Sequence, residues 1–386
     1  MEYTDYTYCH HFNCLLPSYL PRAMIRDYLN GRAESGDIRR LIHFNTAVRH
    51  VEFNNETNEF SVEVEDLPSG SLLSYSFDRI VVAIGHYHVP NMIEIEGVNQ
   101  FPGRVVHSHE FRGGDEFVGE NILIIGGSFS STDIAMHCSK FGARSVIVST
   151  RNVPVGFKWP NGIRDAPMLI RIEERKAYFE DNSNVDDIDA IIFCTGYRHS
   201  YPFLSKDLRI KCGVTEFVPT QLYKSIFLVD QPFVAYLSVP RQLYTSIMFE
   251  MQAAFVRDVF LNRIQLPEKK QQQIEINEWK KREETIARGD FFAMHDLQAD
   301  YLRDLVALLK THDDSTLLIQ FDFDKSSELF KKYIQSLLDD IVRCRDISYE
   351  SFVENKHTKG IIQVDKPWFE NKDDSMDKLL DKYRNK

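Results

Sequence analysis

The sequence predicts an α/β fold with a mainly helical C-terminal part, and three observations carry that reading. An apolar strand, a small-residue turn, a helix and a second strand follow one another over residues 121–151, the order of a βαβ unit. Two apolar runs end in the same glycine device, Ala83-Ile84-Gly85-His86 and Cys194-Thr195-Gly196-Tyr197. Beyond about residue 250 the apolar residues recur at helical spacing.

Each element follows from its own pattern. Residues 19–32 read as a helix, because Leu20, Met24, Ile25, Tyr28 and Leu29 share a face, with Pro21 in the first turn and Gly31 near the end. Residues 40–51 and 59–65 read as antiparallel strands joined by the polar turn 54–58. The continuous apolar run 77–85 suits a strand buried on both faces, and its closing glycine lets backbone approach a ligand. In the βαβ unit Ile134, Ala135 and Cys138 share a helix face, and 145–150 is the second strand. A further strand is predicted at 190–194, then helices at 248–261, 274–284, 297–309 and 329–342; the charged tail from Lys372 is expected to fray.

Composition bounds the function. The 386 residues, 43% hydrophobic and 27% charged, suit a globular chain of roughly two domains. Fifty-seven acidic against 46 basic residues give a net charge of −11, which repels phosphate backbones, so no nucleic-acid partner is expected. The longest apolar runs fall far short of the ~20 residues of a membrane helix, and no membrane span is expected. The N-terminus shows no basic region followed by an apolar one, so a cytoplasmic, reducing setting is expected. Six scattered cysteines without a Cys-x-x-Cys pair read as free thiols. Cys9 and Cys14 have the spacing of a flavin disulfide reductase pair, but His10-His11-Phe12-Asn13 between them lacks the glycine-rich approach of such a site. The two histidines have no third partner, so no metal is expected.

The chemistry-bearing segment is the βαβ turn Gly126-Gly127-Ser128-Phe129-Ser130-Ser131. Small residues there keep the turn tight and bring a helix N-terminus to a pyrophosphate. Only Gly126 fits a strict Gly-x-Gly-x-x-Gly, with Ser128 and Ser131 at the other glycine positions; a packed βαβ unit without a ligand is the bland alternative. The second strand ends in Arg151-Asn152 rather than an acidic residue, which suits the 2′-phosphate of NADP, although a solvated arginine reads equally well there. No triad or paired-carboxylate pattern singles out a catalytic residue.

Phe101-Pro-Gly103-Arg-Val-Val-His107-Ser-His-Glu-Phe111 matches the signature Phe-x-Gly-x-x-x-His-x-x-x-(Tyr/Phe). With it, and with the two glycine-ended strands, the sequence resembles the flavin-containing monooxygenases. The stretches 3–8, 44–53, 158–160 and 345–349 resemble the bacterial trimethylamine monooxygenase branch, and the similarity runs from about residue 2 to the end.

This resemblance implies an FAD enzyme that takes hydride from NADPH, forms a C4a-hydroperoxyflavin with O2, and passes one oxygen to an amine nitrogen or a sulfide sulfur. It implies two Rossmann-like domains, an NADP domain at 116–189 inserted in an FAD domain made of 1–115 and 190–386. Carried onto this sequence, Gly126, Gly127, Ser128, Phe129 and Ser130 face the NADP pyrophosphate region, Arg151 and Asn152 the 2′-phosphate, and Arg345 another part of NADP. Val48 meets the FAD adenine, and Gln242 and Thr245 the flavin side. A homodimer is compatible with the family.

Two departures shape the expectations. The family opens with its own FAD Gly-x-Gly-x-x-Gly turn, and this sequence starts after it, short by roughly the first seventy residues of the pattern. An incomplete FAD domain with an open apolar sheet edge and weak or absent FAD binding is therefore expected, and the alternative is an inactive relative that binds NADP only. At Arg241 and Leu243 the trimethylamine branch typically has an acidic residue and a tryptophan; Arg241 is expected to repel cationic amines. Phe129 replaces a tyrosine.

Overall fold

A computed structural model describes residues 2–151, 156–287, 289–309, 321–350, 364, 367–373 and 375–384. Helices α1 (Tyr8–Phe12) and α2 (Arg22–Ser35) lead into strands β1 (Thr46–Asn54), β2 (Glu59–Asp66), β3 (Ser71–Phe77), β4 (Ile80–Val82) and β5 (Arg104–His107). The βαβ unit follows as β6 (Asn121–Ile125), α3 (Phe129–Phe141) and β7 (Ser145–Ser149), then β8 (Ile163–Ala166), β9 (Leu169–Glu173), β10 (Lys176–Phe179), β11 (Asn184–Val185) and β12 (Ala190–Phe193). Three short strands come next, β13 (Leu222–Tyr223), β14 (Phe227–Leu228) and β15 (Val234–Tyr236). The remainder is helical, with α4 (Thr245–Phe260), α5 (Lys269–Glu284), α6 (Phe291–Leu309), α7 (Phe323–Asp339) and α8 (Met376–Arg384).

The central layer is a parallel sheet of order β5-β12-β6-β7-β8. Ile122 through Ile125 are buried on both faces of β6, which is why its pattern is unbroken rather than alternating. Ile122 and Ile124 pack with Ile134, Ala135 and Cys138 of α3, while Leu123 and Ile125 pack with Ala177 and Phe179 of the β9–β11 meander. Each such side chain removed from water contributes about 1.5–3 kcal/mol. Because β5 and β12 belong to this sheet, it extends past both ends of the 116–189 segment.

The second sheet has order β13-β14-β15-β4, with β4 parallel to β15. Here the expectation of a strand buried on both faces at 77–85 fails. The strand is only Ile80–Val82, and its burial alternates as in a strand covered on one face, Val82 being buried and Val81 45% exposed, with Ile84 beyond it 46% exposed; β15 pairs with one edge of β4 and no strand among the described residues with the other. An antiparallel sheet β1-β2-β3 stands beside it, and its β3, exposed along its whole length, was not foreseen.

The helical part encloses a core that joins Met248, Met251 and Phe255 of α4 to Leu302, Leu305 and Leu309 of α6. The tail departs from the fraying expected of it: α8 buries Leu380 against Tyr6, Phe12, Met24 and Tyr28. All six cysteines are free thiols. Among the described residues no helix is long and apolar enough to cross a membrane.

Candidate functional site

The site forms where β6 ends. The Gly126 amide donates to the Ser149 carbonyl at 2.9 Å, which holds the turn beside the end of β7. Gly126 adopts φ +135°, and a Cβ there would lie 2.3 Å from the Cys194 carbonyl oxygen, so the turn accepts only glycine. A Cβ on Gly127 would meet Thr150 Cγ2 at 3.0 Å. Ser128 is the N-cap of α3, and its side chain caps none of the helix amides. Its carbonyl accepts from the Ser131 hydroxyl at 2.6 Å and from the Thr132 amide at 3.2 Å. The first amides of a helix lack carbonyl partners, so the small residues and uncapped start of α3 fit a dinucleotide phosphate. Ser130 is exposed on the first turn.

Two arginines from far along the chain reach this helix. Arg345 pairs with Asp133, one turn into α3, and its guanidinium lies 4.5 Å from the Trp368 ring centroid. Lys140 Nζ lies 4.3 Å from the same ring, and His137 meets it edge-on at 5.2 Å, so Trp368 ties the C-terminal segment to α3 through two cations. Arg241 Nη2 donates to Ser128 Oγ at 2.8 Å. Its carbonyl accepts from Gln298 Nε2 at 3.0 Å, and the Leu243 amide donates to Gln298 Oε1 at 2.8 Å. Burial lowers the Arg241 pKa and the Tyr87 phenol opposes that shift; a guanidinium stays charged at neutral pH regardless.

The segments that follow the two glycine-ended strands meet, the Tyr87 and Tyr197 rings lying 5.3 Å apart. Asn91 staples them, its amide donating to the Gly196 carbonyl at 2.9 Å and its Nδ2 to the Thr195 carbonyl at 3.1 Å, while the Thr195 hydroxyl donates back to the Asn91 carbonyl at 2.5 Å. His107 of the signature stretch is buried against Tyr197, ring centroids 5.1 Å apart. Gly103 is required because a Cβ would lie 2.2 Å from the Asp189 carbonyl oxygen. The signature stretch thus lines β12 from Asp189 before it to Tyr197 after it. Nearby, His86 Nδ1 donates to the Ser238 carbonyl at 2.8 Å, which also accepts from Gln242 Nε2 at 3.0 Å. Burial lowers the pKa of His86, and burial with His86 beside it takes His199 down to about 4; both are neutral at pH 7.

Of the residues singled out from sequence, Gly126, Gly127, Ser128, Phe129 and Ser130 form one turn. Arg345 joins it through Asp133, and Gln242 flanks it next to Arg241. Phe129 packs against Phe291 at 5.0 Å. Arg151 is exposed just after β7, and Asn152 lies outside the described residues. Thr245 opens α4. Val48 sits apart, 42% exposed on β1 beside a register shift. Gly85 has φ +70° and open space around a Cβ, and Val81 and Ile84 just before it are exposed, so backbone is open to approach at this strand end. Sequence reasoning missed Asp133, Phe291 and Trp368; the pair Trp368-Phe369 in an otherwise charged tail was the one visible signal. Among the described residues no three His, Cys, Asp or Glu side chains converge as metal ligands.

Comparison with known proteins agrees with this architecture. The family model described as flavin-binding monooxygenase-like matches residues 1–156 and 162–330. The chain is 40% identical to a trimethylamine monooxygenase of Methylocella silvestris, over 98% of this chain and 80% of that protein. It superposes on the crystal structure of Tmm from a Pelagibacter species with TM-score 0.90 at 35% identity, covering 98% of this chain and 82% of that one. An S-allyl-L-cysteine S-oxygenase from Allium sativum shares the fold, with TM-score 0.73 at 22% identity over 90% of this chain and 78% of its own.

Proposed function

The chain belongs to the flavin-binding monooxygenase-like family, and on that premise we propose that it oxygenates the nitrogen of a small tertiary amine, taken as the free base. It is an NADPH- and FAD-dependent monooxygenase. The overall balance is amine, O2, NADPH and a proton giving amine oxide, water and NADP+. Bound FAD supplies the oxygen-transfer chemistry and NADPH the electrons.

What this chain's residues do is bind and orient. The 126–130 turn supports a reading in which α3 faces the NADP pyrophosphate, Arg151 and Asn152 take the 2′-phosphate, and Arg345, braced by Asp133 and Trp368, takes a further part of NADP. Val48 faces the FAD adenine, and Gln242 and Thr245 the flavin side. In this reading 116–189 is the NADP segment, with 1–115 and 190–386 on the FAD side, and the enzyme works in the cytoplasm. The amine must lose its proton to expose a lone pair, so the free base is the form that reacts. No side chain need act as a strong base.

The observation that carries the proposal is the turn at Gly126, whose backbone only glycine permits, in a chain 40% identical to a trimethylamine monooxygenase. The relatives bear the names of active enzymes, which favours turnover over the NADP-only alternative. The test is NADPH oxidation in air by the FAD-supplemented chain, with and without trimethylamine, and mass-spectrometric detection of the amine oxide. Amine-dependent oxide formation is expected. Oxygenation of a neutral sulfide with no amine oxide would move the nucleophile to sulfur, and peroxide release with either compound would overturn the proposal.

A further inference from the structure

We infer that Arg241 is a nucleotide contact, its guanidinium gripping the NADPH pyrophosphate beside the N-terminus of α3. This rests on the reading of the 126–130 turn as the NADPH site, and it moves Arg241 from the substrate side, where sequence comparison put it, to the cofactor side.

Three observations converge. The guanidinium hydrogen-bonds at 2.8 Å to the hydroxyl of Ser128, the residue at which the turn becomes α3. Gln298 holds the backbone from which it extends, through the Arg241 carbonyl at 3.0 Å and the Leu243 amide at 2.8 Å, and Gln242 is tied to the Ser238 carbonyl at 3.0 Å, so the base of the side chain is in place before a nucleotide binds. Its partner is neutral. Arg345 and Arg32 each have a carboxylate, Asp133 and Asp5, whereas among the described residues no carboxylate pairs with Arg241, whose surroundings offer only the Tyr87 phenol. A partly buried cation without an anion is incompletely compensated. A small amine has no anion to give it, and the dinucleotide phosphates do. Ser128 leaves the α3 amides uncapped, so one phosphate can accept from those amides and from Arg241 together.

The experiment titrates NADPH and NADH against the full chain by nucleotide fluorescence, for wild type, Arg241→Gln, Arg241→Lys and Arg151→Ala, with melting temperature as a fold control. Because the pyrophosphate is common to both nucleotides, Arg241→Gln is expected to raise both dissociation constants by a similar factor, roughly tenfold or more. Arg241→Lys should recover part of the loss. Arg151→Ala should weaken NADPH alone. Unchanged binding in a folded Arg241→Gln chain would overturn the inference, as would a loss confined to NADPH, which would put Arg241 on the 2′-phosphate. Retained nucleotide binding with a raised Michaelis constant for the amine would return Arg241 to the substrate. Wild-type chain that binds neither nucleotide would overturn the reading of the turn itself.

Discussion

Gly126 carries the most constrained chemistry of any single residue in the site. Its φ of +135° and the Cys194 carbonyl 2.3 Å from a built Cβ leave no relaxation route, since both obstacles are backbone. Gly126→Ala is therefore expected to cost about 2 kcal/mol or more of stability and to abolish measurable NADPH binding, checked by urea denaturation and nucleotide titration. Arg151→Ala tests the choice of NADP over NAD: loss of a charged hydrogen bond should cost about 1.5–3 kcal/mol of NADPH affinity. Both residues were legible in the sequence because the turn and the strand end sit within one βαβ unit. Arg241 was legible only as a residue type, since 113 positions separate it from Ser128 and no local pattern reveals that contact. Glu250 was not legible at all. Burial raises its carboxyl pKa to about 7, against the hydrogen bond donated by the Thr4 amide at 3.1 Å. The folded chain thus holds this proton more tightly than the unfolded chain, so stability falls as pH rises from about 4.5 to about 7 and then levels off. Glu250→Gln should stabilise the protein by about 2 kcal/mol at pH 8 and by nothing at pH 4, read as melting temperature against pH.

Among the elements, β6, α3 and β7 were the most legible, because a sheet covered on both faces writes its burial as an unbroken apolar run. The 77–85 run obeyed the same pattern and misled for a definite reason: apolar sequence reports a tendency to be buried, and β4 has only one of its faces covered, Val82 being buried and Val81 exposed. The C-terminal segment misled in the opposite sense. Its charges suggested fraying, yet Leu380 and Tyr383 at helical spacing bury one side of α8, and Trp368 anchors the stretch before it to α3. Lys140 and Arg345 both lie within 4.5 Å of the Trp368 ring centroid. Trp368→Ala is expected to lower stability by about 2 kcal/mol, from two cation–π contacts and lost burial. It should also weaken NADPH binding several-fold, because Arg345 loses the platform that holds it beside Asp133. Phenylalanine at the same position should restore most of both, whereas a fall in stability with NADPH affinity untouched would separate Arg345 from the nucleotide.

For the whole molecule, the order of units along the chain could be read from sequence, but the surface they leave exposed could not, because exposure depends on which elements become neighbours. The exposed large apolar side chains among the described residues concentrate between Leu29 and Ile93. They follow the antiparallel sheet and the free edge of β4, including Leu72, Leu73, Tyr75 and Phe77 along β3. Exposed apolar side chains in this number bind hydrophobic probes and favour association of copies, and an edge strand such as β3 adds unpaired backbone groups to the attraction. The folded chain should therefore enhance 1-anilinonaphthalene-8-sulfonate fluorescence without denaturant and sediment with a concentration-dependent coefficient. Leu72 is 59% exposed, so Leu72→Lys removes little packing and should shift stability by less than about 0.5 kcal/mol. The same change puts a charge on the edge strand and should lower both dye binding and association. A Leu72→Lys chain that unfolds more easily, with dye binding undiminished, would mean that this side chain is packed in solution and that the free face of the sheet lies elsewhere.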